Sequence, residues 1–169
     1  MVEHLPEFID PLALADRGRQ FKGSLPLSKM TRLQDVLLDG PGEVSFVLRF
    51  GKDGKLATVT GLVEAELRLQ CQRCLGAVLW PVSCKVSLGV VRSIAEADLL
   101  AESYEPLLLE GDTLALADIV QEELLLALPA IPRHSACEPA AQAAPEQAKA
   151  ADAAPQRPNP FAVLAKLKH

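Results

Sequence analysis

"EVSFVLRFGKDGKLATVTGLVEAELRLQCQRCLG", residues 43–76, decides the fold by its hydrophobic period. Val44, Phe46, Leu48 and Phe50 alternate with Ser45 and Arg49, a spacing of two that gathers the apolar side chains on one side of a strand. "GKDGK" then supplies a DG turn, a strong short-range hairpin signal, and a long second strand begins at Leu56. On it Val63, Ala65, Leu67 and Leu69 share one face and Glu64, Glu66 and Arg68 the other, with Cys71 continuing the apolar phase. A half-buried strand therefore runs into a Cys71-x-x-Cys74 pair followed by Gly76.

Downstream of that corner, "VSCKVSLGVV" repeats the alternation, with Val82, Cys84, Val86, Leu88 and Val90 inward against Ser83, Lys85 and Ser87. Cys84 reads as a small buried hydrophobe. Upstream the period is helical. "IDPLALADRGRQF" offers Asp10 as N-cap and Pro11 at the first helical position. "LSKMTRLQDVLLD" offers Ser28 as a cap with Met30, Leu33 and Leu37 at helical spacing, and "FKGSLPL" between the two is extended. After residue 91 the pattern predicts a short helix in "SIAEADLLAE", a short strand in "YEPLLLE", and a helix in "TLALADIVQEELLLALP" capped by Thr113 and stopped by Pro129. The last is expected to turn Leu114, Ala117, Ile119, Val120, Leu124 and Leu128 to the core and Asp118, Glu122 and Glu123 to solvent.

The fold class that results is α+β, an antiparallel β-meander with flanking helices over residues 1–132. Residues 133–158, rich in Ala and Pro and poor in large apolar side chains, read as a flexible linker. In "NPFAVLAKLKH", residues 159–169, Asn159 and Pro160 start a short helix whose Phe161, Leu164 and Leu167 form an apolar face. So short a helix is marginal alone and is expected to dock on a partner. At 169 residues, 49% hydrophobic and mean hydropathy +0.16, the chain is sized for one buried core plus a tail. Without an apolar run of membrane length or a basic leader, a cytoplasmic location and no membrane partner are expected.

The net charge of −5 is unevenly spread. Residues 1–92 carry 12 basic and 10 acidic side chains, residues 93–132 none and 9, and residues 133–169 5 and 3, so the acidity sits in one block. Arg17, Arg19, Lys22, Lys29 and Arg32 fall in a stretch free of carboxylates, and Arg68 and Arg73 lie beside the cysteine corner. These seven are the candidate phosphate contacts, against the plainer reading that long cationic side chains solvate two surface elements.

Four chemistries compete at Cys71 and Cys74. A structural disulfide is disfavoured in a cytosolic chain with so few cysteines, and a thioredoxin-type pair belongs at a strand-to-helix junction whereas here strand follows strand. A hairpin tip reading C-x-x-C-x-G is similar to a zinc knuckle, in which turn amides donate to the sulfurs. Zinc needs two more donors, and "IPRHSAC" offers His134 and Cys137. A Cys71, Cys74, His134, Cys137 zinc site, an empty knuckle with reduced thiols, and a thiol redox sensor all stay open. Phosphate-cradling glycine loops, GxSxG and HExxH are missing, and His4 and His169 lie at the chain ends, so neither an enzyme nor a small-molecule substrate is expected.

"LQCQRCLG", "YEPLLL", "LLLALPAIPRH" and the terminal "RPNPFAVLAKLK", taken in order, resemble the bacterial large ribosomal RNA subunit accumulation protein family, the YceD family. The resemblance implies a non-enzymatic cytoplasmic role in synthesis, processing or accumulation of 23S ribosomal RNA and in large-subunit assembly. Its partners would be precursor 23S RNA and, through contact with the assembling subunit, ribosomal proteins or assembly factors. With aromatics at 4%, phosphate and shape contacts are expected over base stacking. A second reading makes the acidic 93–132 region an adaptor for basic ribosomal proteins, anchored by the terminal helix.

Overall fold

A computed structural model describes residues 5–38 and 41–139. The Ala- and Pro-rich segment from residue 140 onward, with Phe161, Leu164 and Leu167, lies outside the described residues. The chain divides into two units at Cys137/Glu138.

The first unit is built on a five-stranded sheet. Strand β1 (Phe8–Ile9) leads into α1 (Pro11–Asp16), then β2 (Gln20–Pro26), α2 (Thr31–Gln34), β3 (Glu43–Asp53), β4 (Leu56–Gln70) and β5 (Ala77–Val91). Helix α3 (Ile94–Ala97), β6 (Glu105–Leu108), β7 (Leu114–Ala115) and α4 (Leu116–Leu126) complete it. The sheet order is β2-β3-β4-β5-β6, antiparallel between consecutive strands from β2 to β5, and β1 pairs with β7 in a separate two-stranded ladder. The fold is thus α+β on an antiparallel meander. Its fifth strand departs from the meander, because β6 joins β5 in parallel, Leu88 opposite Glu105. Residues 92–104, with α3 inside them, supply the crossover that a parallel neighbour requires.

Alternation in the sequence becomes two sheet faces. Val44, Phe46, Leu48 and Phe50 on β3, Val59, Val63, Leu67 and Leu69 on β4, and Val82, Val86, Leu88 and Val90 on β5 are buried, and α1 and α4 pack against this inner side. Phe21 on β2 meets Phe50 edge-on, centroids 5.8 Å apart. Cys84 sits half-buried on the same side, its thiol 3.6 Å from the Val63 carbonyl, and burial followed by the Glu123 charge pushes that thiol up from its ordinary pKa. At the centre of β4 only glycine fits at position 61, since a Cβ there would stand 1.9 Å from the Val47 carbonyl oxygen. No helix among the described residues is long and apolar enough to cross a membrane.

Helix α1 begins as its sequence dictates, with the Asp10 carboxylate accepting from the Ala13 amide at 2.9 Å and Pro11 in the first turn. The next helix is shorter than its spacing predicts. Ser28 lies in a 3-10 turn, Leu27–Lys29, and Met30 leaves helical geometry (φ −103, ψ 80), so only Thr31–Gln34 is α-helical. Its open N-terminus is satisfied from afar, the Arg32 amide donating to Gln121 Oε1 at 3.1 Å.

Helix α4 differs at its start. Thr113 is not the cap, because Leu114 and Ala115 are taken up by pairing with Ile9 and Phe8, and the Leu116 amide donates to the Glu7 carbonyl at 3.0 Å. Leu116 takes the fully buried place expected for Leu114. Gln121 and Glu123 are buried rather than facing solvent. Burial, with a smaller contribution from the Glu105 charge, raises the Glu123 carboxyl above its ordinary pKa.

Candidate metal centre

Strand β4 ends at Gln70 opposite Ala77 on β5, and residues 71–76 close the corner between them. Two backbone bonds shape it: the Cys71 amide donates to the Gly76 carbonyl at 2.8 Å, and the Leu75 amide to the Cys71 carbonyl at 2.9 Å. The left-handed residue here is Leu75 (φ 60) and not Gly76, the glycine of the C-x-x-C-x-G pattern. This geometry turns the Cys71 and Cys74 side chains to the same side.

The segment after α4 folds back onto the corner. The Gln72 amide donates to the Pro132 carbonyl at 2.9 Å, Arg73 Nη1 donates to the Cys137 carbonyl at 3.3 Å, and His134 Nε2 donates to the Ala77 carbonyl at 2.9 Å. Since a carbonyl only accepts, His134 carries its proton on Nε2 and leaves the Nδ1 lone pair toward the cysteines.

One donor atom each from Cys71, Cys74, His134 and Cys137 lies within 4.8 Å of every other. Cys71 and Cys137 sulfurs are 3.7 Å apart, and the Cys74 sulfur is 3.4 Å from His134 Nδ1. A disulfide would need about 2.05 Å. Ligands at Zn–S about 2.3 Å and Zn–N about 2.1 Å in a tetrahedron stand about 3.8 Å (sulfur to sulfur) and about 3.6 Å (sulfur to nitrogen) apart, so both separations are those of a zinc cage with three sulfurs and one nitrogen. Electrostatics agree with that chemistry. The Cys74 backbone N–H donating to the Cys71 sulfur, opposed by burial and reinforced by the Arg73 and His134 amides, holds the Cys71 thiol down at about 5. Burial, then hydrogen bonding to the Cys71 and Cys74 sulfurs, pushes Cys137 up. The residues present fit a structural zinc ion, with four protein ligands and no position open to substrate.

The seven basic candidates are dispersed. Arg17 caps the C-terminus of α1, Arg19 lies just before β2, Lys22 points outward from β2, and Lys29 ends the 3-10 turn. Arg32 on α2 forms an ion pair with Glu122 on α4. Arg68 is exposed on β4, and Arg73 is half-buried against the metal cluster. The five between 17 and 32 therefore lie on separate elements of the fold. The carbonyls of Ala77 and Pro132, which position the cluster's two halves, carry no side-chain signal and escape a reading of the sequence.

Comparison with known proteins places the chain. The family model for "Large ribosomal RNA subunit accumulation protein YceD" matches residues 59–168, which take in both halves of the cluster. A protein of Haemophilus influenzae named "Large ribosomal RNA subunit accumulation protein YceD" is 34% identical over 173 residues, covering 97% of this chain and 96% of that one. No solved structure matches. Matched over most of its length by the family model and nearly end to end by a curated relative, the chain belongs to the YceD family of large ribosomal RNA subunit accumulation proteins.

Proposed function

We propose that this protein is a non-enzymatic cytoplasmic factor for the accumulation of 23S ribosomal RNA, acting by contact with its precursor during large-subunit assembly. The observation that carries the accumulation role is the near full-length match to a relative named for large ribosomal RNA subunit accumulation. A cluster whose four donors come from the protein supports a structural rather than a catalytic metal. Zinc held there would fasten the segment 132–137 to the hairpin. The chain beyond it, with Phe161, Leu164 and Leu167, would then act as an arm that docks on the assembling particle.

Crosslinking the protein to RNA in growing cells tests the first claim. Enrichment of precursor 23S over 16S RNA is expected, and equal recovery of the two would overturn it. Native mass spectrometry of protein purified without a metal-affinity tag tests the second. One zinc per chain is expected, and folded, fully metal-free protein would remove zinc from the account.

A second reading is favoured by one observation: Glu96, Asp98, Glu102, Glu105, Glu110, Asp112 and Asp118 are all exposed in a block without a basic residue. Such a surface suits basic ribosomal proteins. Co-purification of those proteins after nuclease treatment, without precursor RNA, would favour it.

A further inference from the structure

The register of the sheet assembles a surface that no stretch of sequence displays. Two rungs cross four strands on the face opposite the core: Gln20, Arg49, Thr60 and Ser87 in one, Lys22, Val47, Leu62 and Lys85 in the next. Neither contains a carboxylate. Lys22, Arg49 and Lys85 are exposed, and Val47 and Leu62 between the two lysines are half-buried. Among the described residues Lys22 and Lys85 make no ion pair, while the Arg49 guanidinium donates sideways to Gln20 Oε1 at 3.3 Å.

Acidic residues bound this surface on one side. The following rungs bring Ser24, Ser45, Glu64 and Ser83, then Glu43 opposite Pro26 and Glu66 opposite Pro81. A shallow groove of about 400 Å³, lined by Lys22, Ser24, Ser45, Val47, Leu62 and Glu64, marks the border. Phosphate is attracted at the two basic rungs and repelled at the acidic ones, so a polyanion crosses the strands along the rungs instead of running parallel to them. Four strands at about 4.8 Å spacing give a track about 14 Å long between Lys22 and Lys85.

We propose that this outer sheet face is an RNA-binding surface, on which Lys22, Arg49 and Lys85 hold the phosphates of a single strand and Val47 and Leu62 support the sugars and bases between them. The inference rests on the RNA-contact reading of the function and gives it a location that includes Lys22 and adds Arg49 and Lys85. The Thr60 hydroxyl supplies a donor for phosphate and 2′-OH oxygens, while the Ser87 hydroxyl, which donates to the Ser103 carbonyl at 2.8 Å, keeps its lone pairs as acceptors for a 2′-OH. Without an aromatic platform the contact is sequence-tolerant and salt-dependent.

The test measures binding of the full chain to a single-stranded fragment of precursor 23S RNA over a range of salt. The triple variant Lys22→Glu, Arg49→Glu, Lys85→Glu is compared with Lys52→Glu, Lys55→Glu, Arg92→Glu, which changes the net charge equally at the far end of the hairpin. A neutral set, Lys22→Gln, Arg49→Gln, Lys85→Gln, guards against misfolding of the reversed one. The sheet-face variants are expected to lose at least tenfold in affinity and to shallow the logarithmic salt slope by about 2, from about 0.7 per phosphate contact. Binding within twofold of the unmodified protein, or a loss no larger than in the control triple, would overturn the surface alone. Failure of the unmodified protein to bind would overturn the RNA-contact reading itself.

Discussion

The two ends of β4 are closed by turns of different kinds. Before Leu56 the chain reverses through Gly54 and Lys55, with Asp53 paired to Leu56 and a positive φ at Gly54 alone, the pattern of a II′ hairpin. After Gln70 it reverses through six residues whose closing partners, His134 and Cys137, come from 60 and more positions away. The first turn is specified by the residues that form it. The second is specified jointly with α4, which has to be docked before Pro132, His134 and Cys137 can reach the corner.

Removing one metal donor should separate the two turns most sharply. Cys74→Ser is expected to abolish zinc binding and lower the thermal midpoint by about 10 °C, corresponding to a few kcal/mol of lost linkage. Chelator should lower the unmodified protein similarly and leave the variant unmoved, read by circular dichroism. An unchanged midpoint in both cases would mean that the knuckle, like the Gly54 turn, closes without a metal.

Backbone substitutions come next in size and have opposite signs. Gly54→Ala forces a side chain into the left-handed region and is expected to cost about 1 kcal/mol. Leu75→Gly relieves such a conformation at an exposed side chain, and is expected to stabilise by up to about 1 kcal/mol after the extra chain entropy of glycine. Urea midpoints measure both. A destabilised Leu75→Gly would show that the side chain matters more at this corner than the strain.

Glu123 gives the smallest effect, through α4 and hence through the distant half of the corner. Its folded pKa is raised, so its contribution is fully present below the ordinary carboxylate range and is lost as pH rises through the raised value. Glu123→Gln should therefore stabilise at pH 8 by less than about 1 kcal/mol and show little or no gain at pH 4. Equal urea midpoints for the two proteins at both pH values would show that the charge is fully solvated.

The contrast also explains what the sequence made legible. Alternation in Val44–Phe50, Val63–Cys71 and Val82–Val90 named the inner face, and Asp10–Pro11 the first helix, because each depends on neighbours two to four positions away. The start of α4 was not legible, since Leu114–Ala115 serve as a strand only once Phe8–Ile9 lie beside them. Burial of Glu123, the left-handed Leu75 and the parallel β6 are likewise set by tertiary docking. At the metal cluster the cysteine pair was visible as a motif. His134 and Cys137 were legible as the second pair of donors after α4, while their convergence on the first pair depends on where α4 delivers the chain. The cationic rungs were hidden differently: Arg49 and Lys85 stood in plain alternation, but only the register aligns them with Lys22.

Three hydrogen bonds fasten residues 132–137 to the hairpin independently of any ion: Gln72 to Pro132, Arg73 to Cys137 and His134 to Ala77. This has a kinetic consequence. A metal held at the cluster would enter or leave by detachment of that short segment while the sheet stays closed, so its exchange rate is expected to follow local opening rather than global unfolding. The Gln72 amide, released in the same event, keeps time with it.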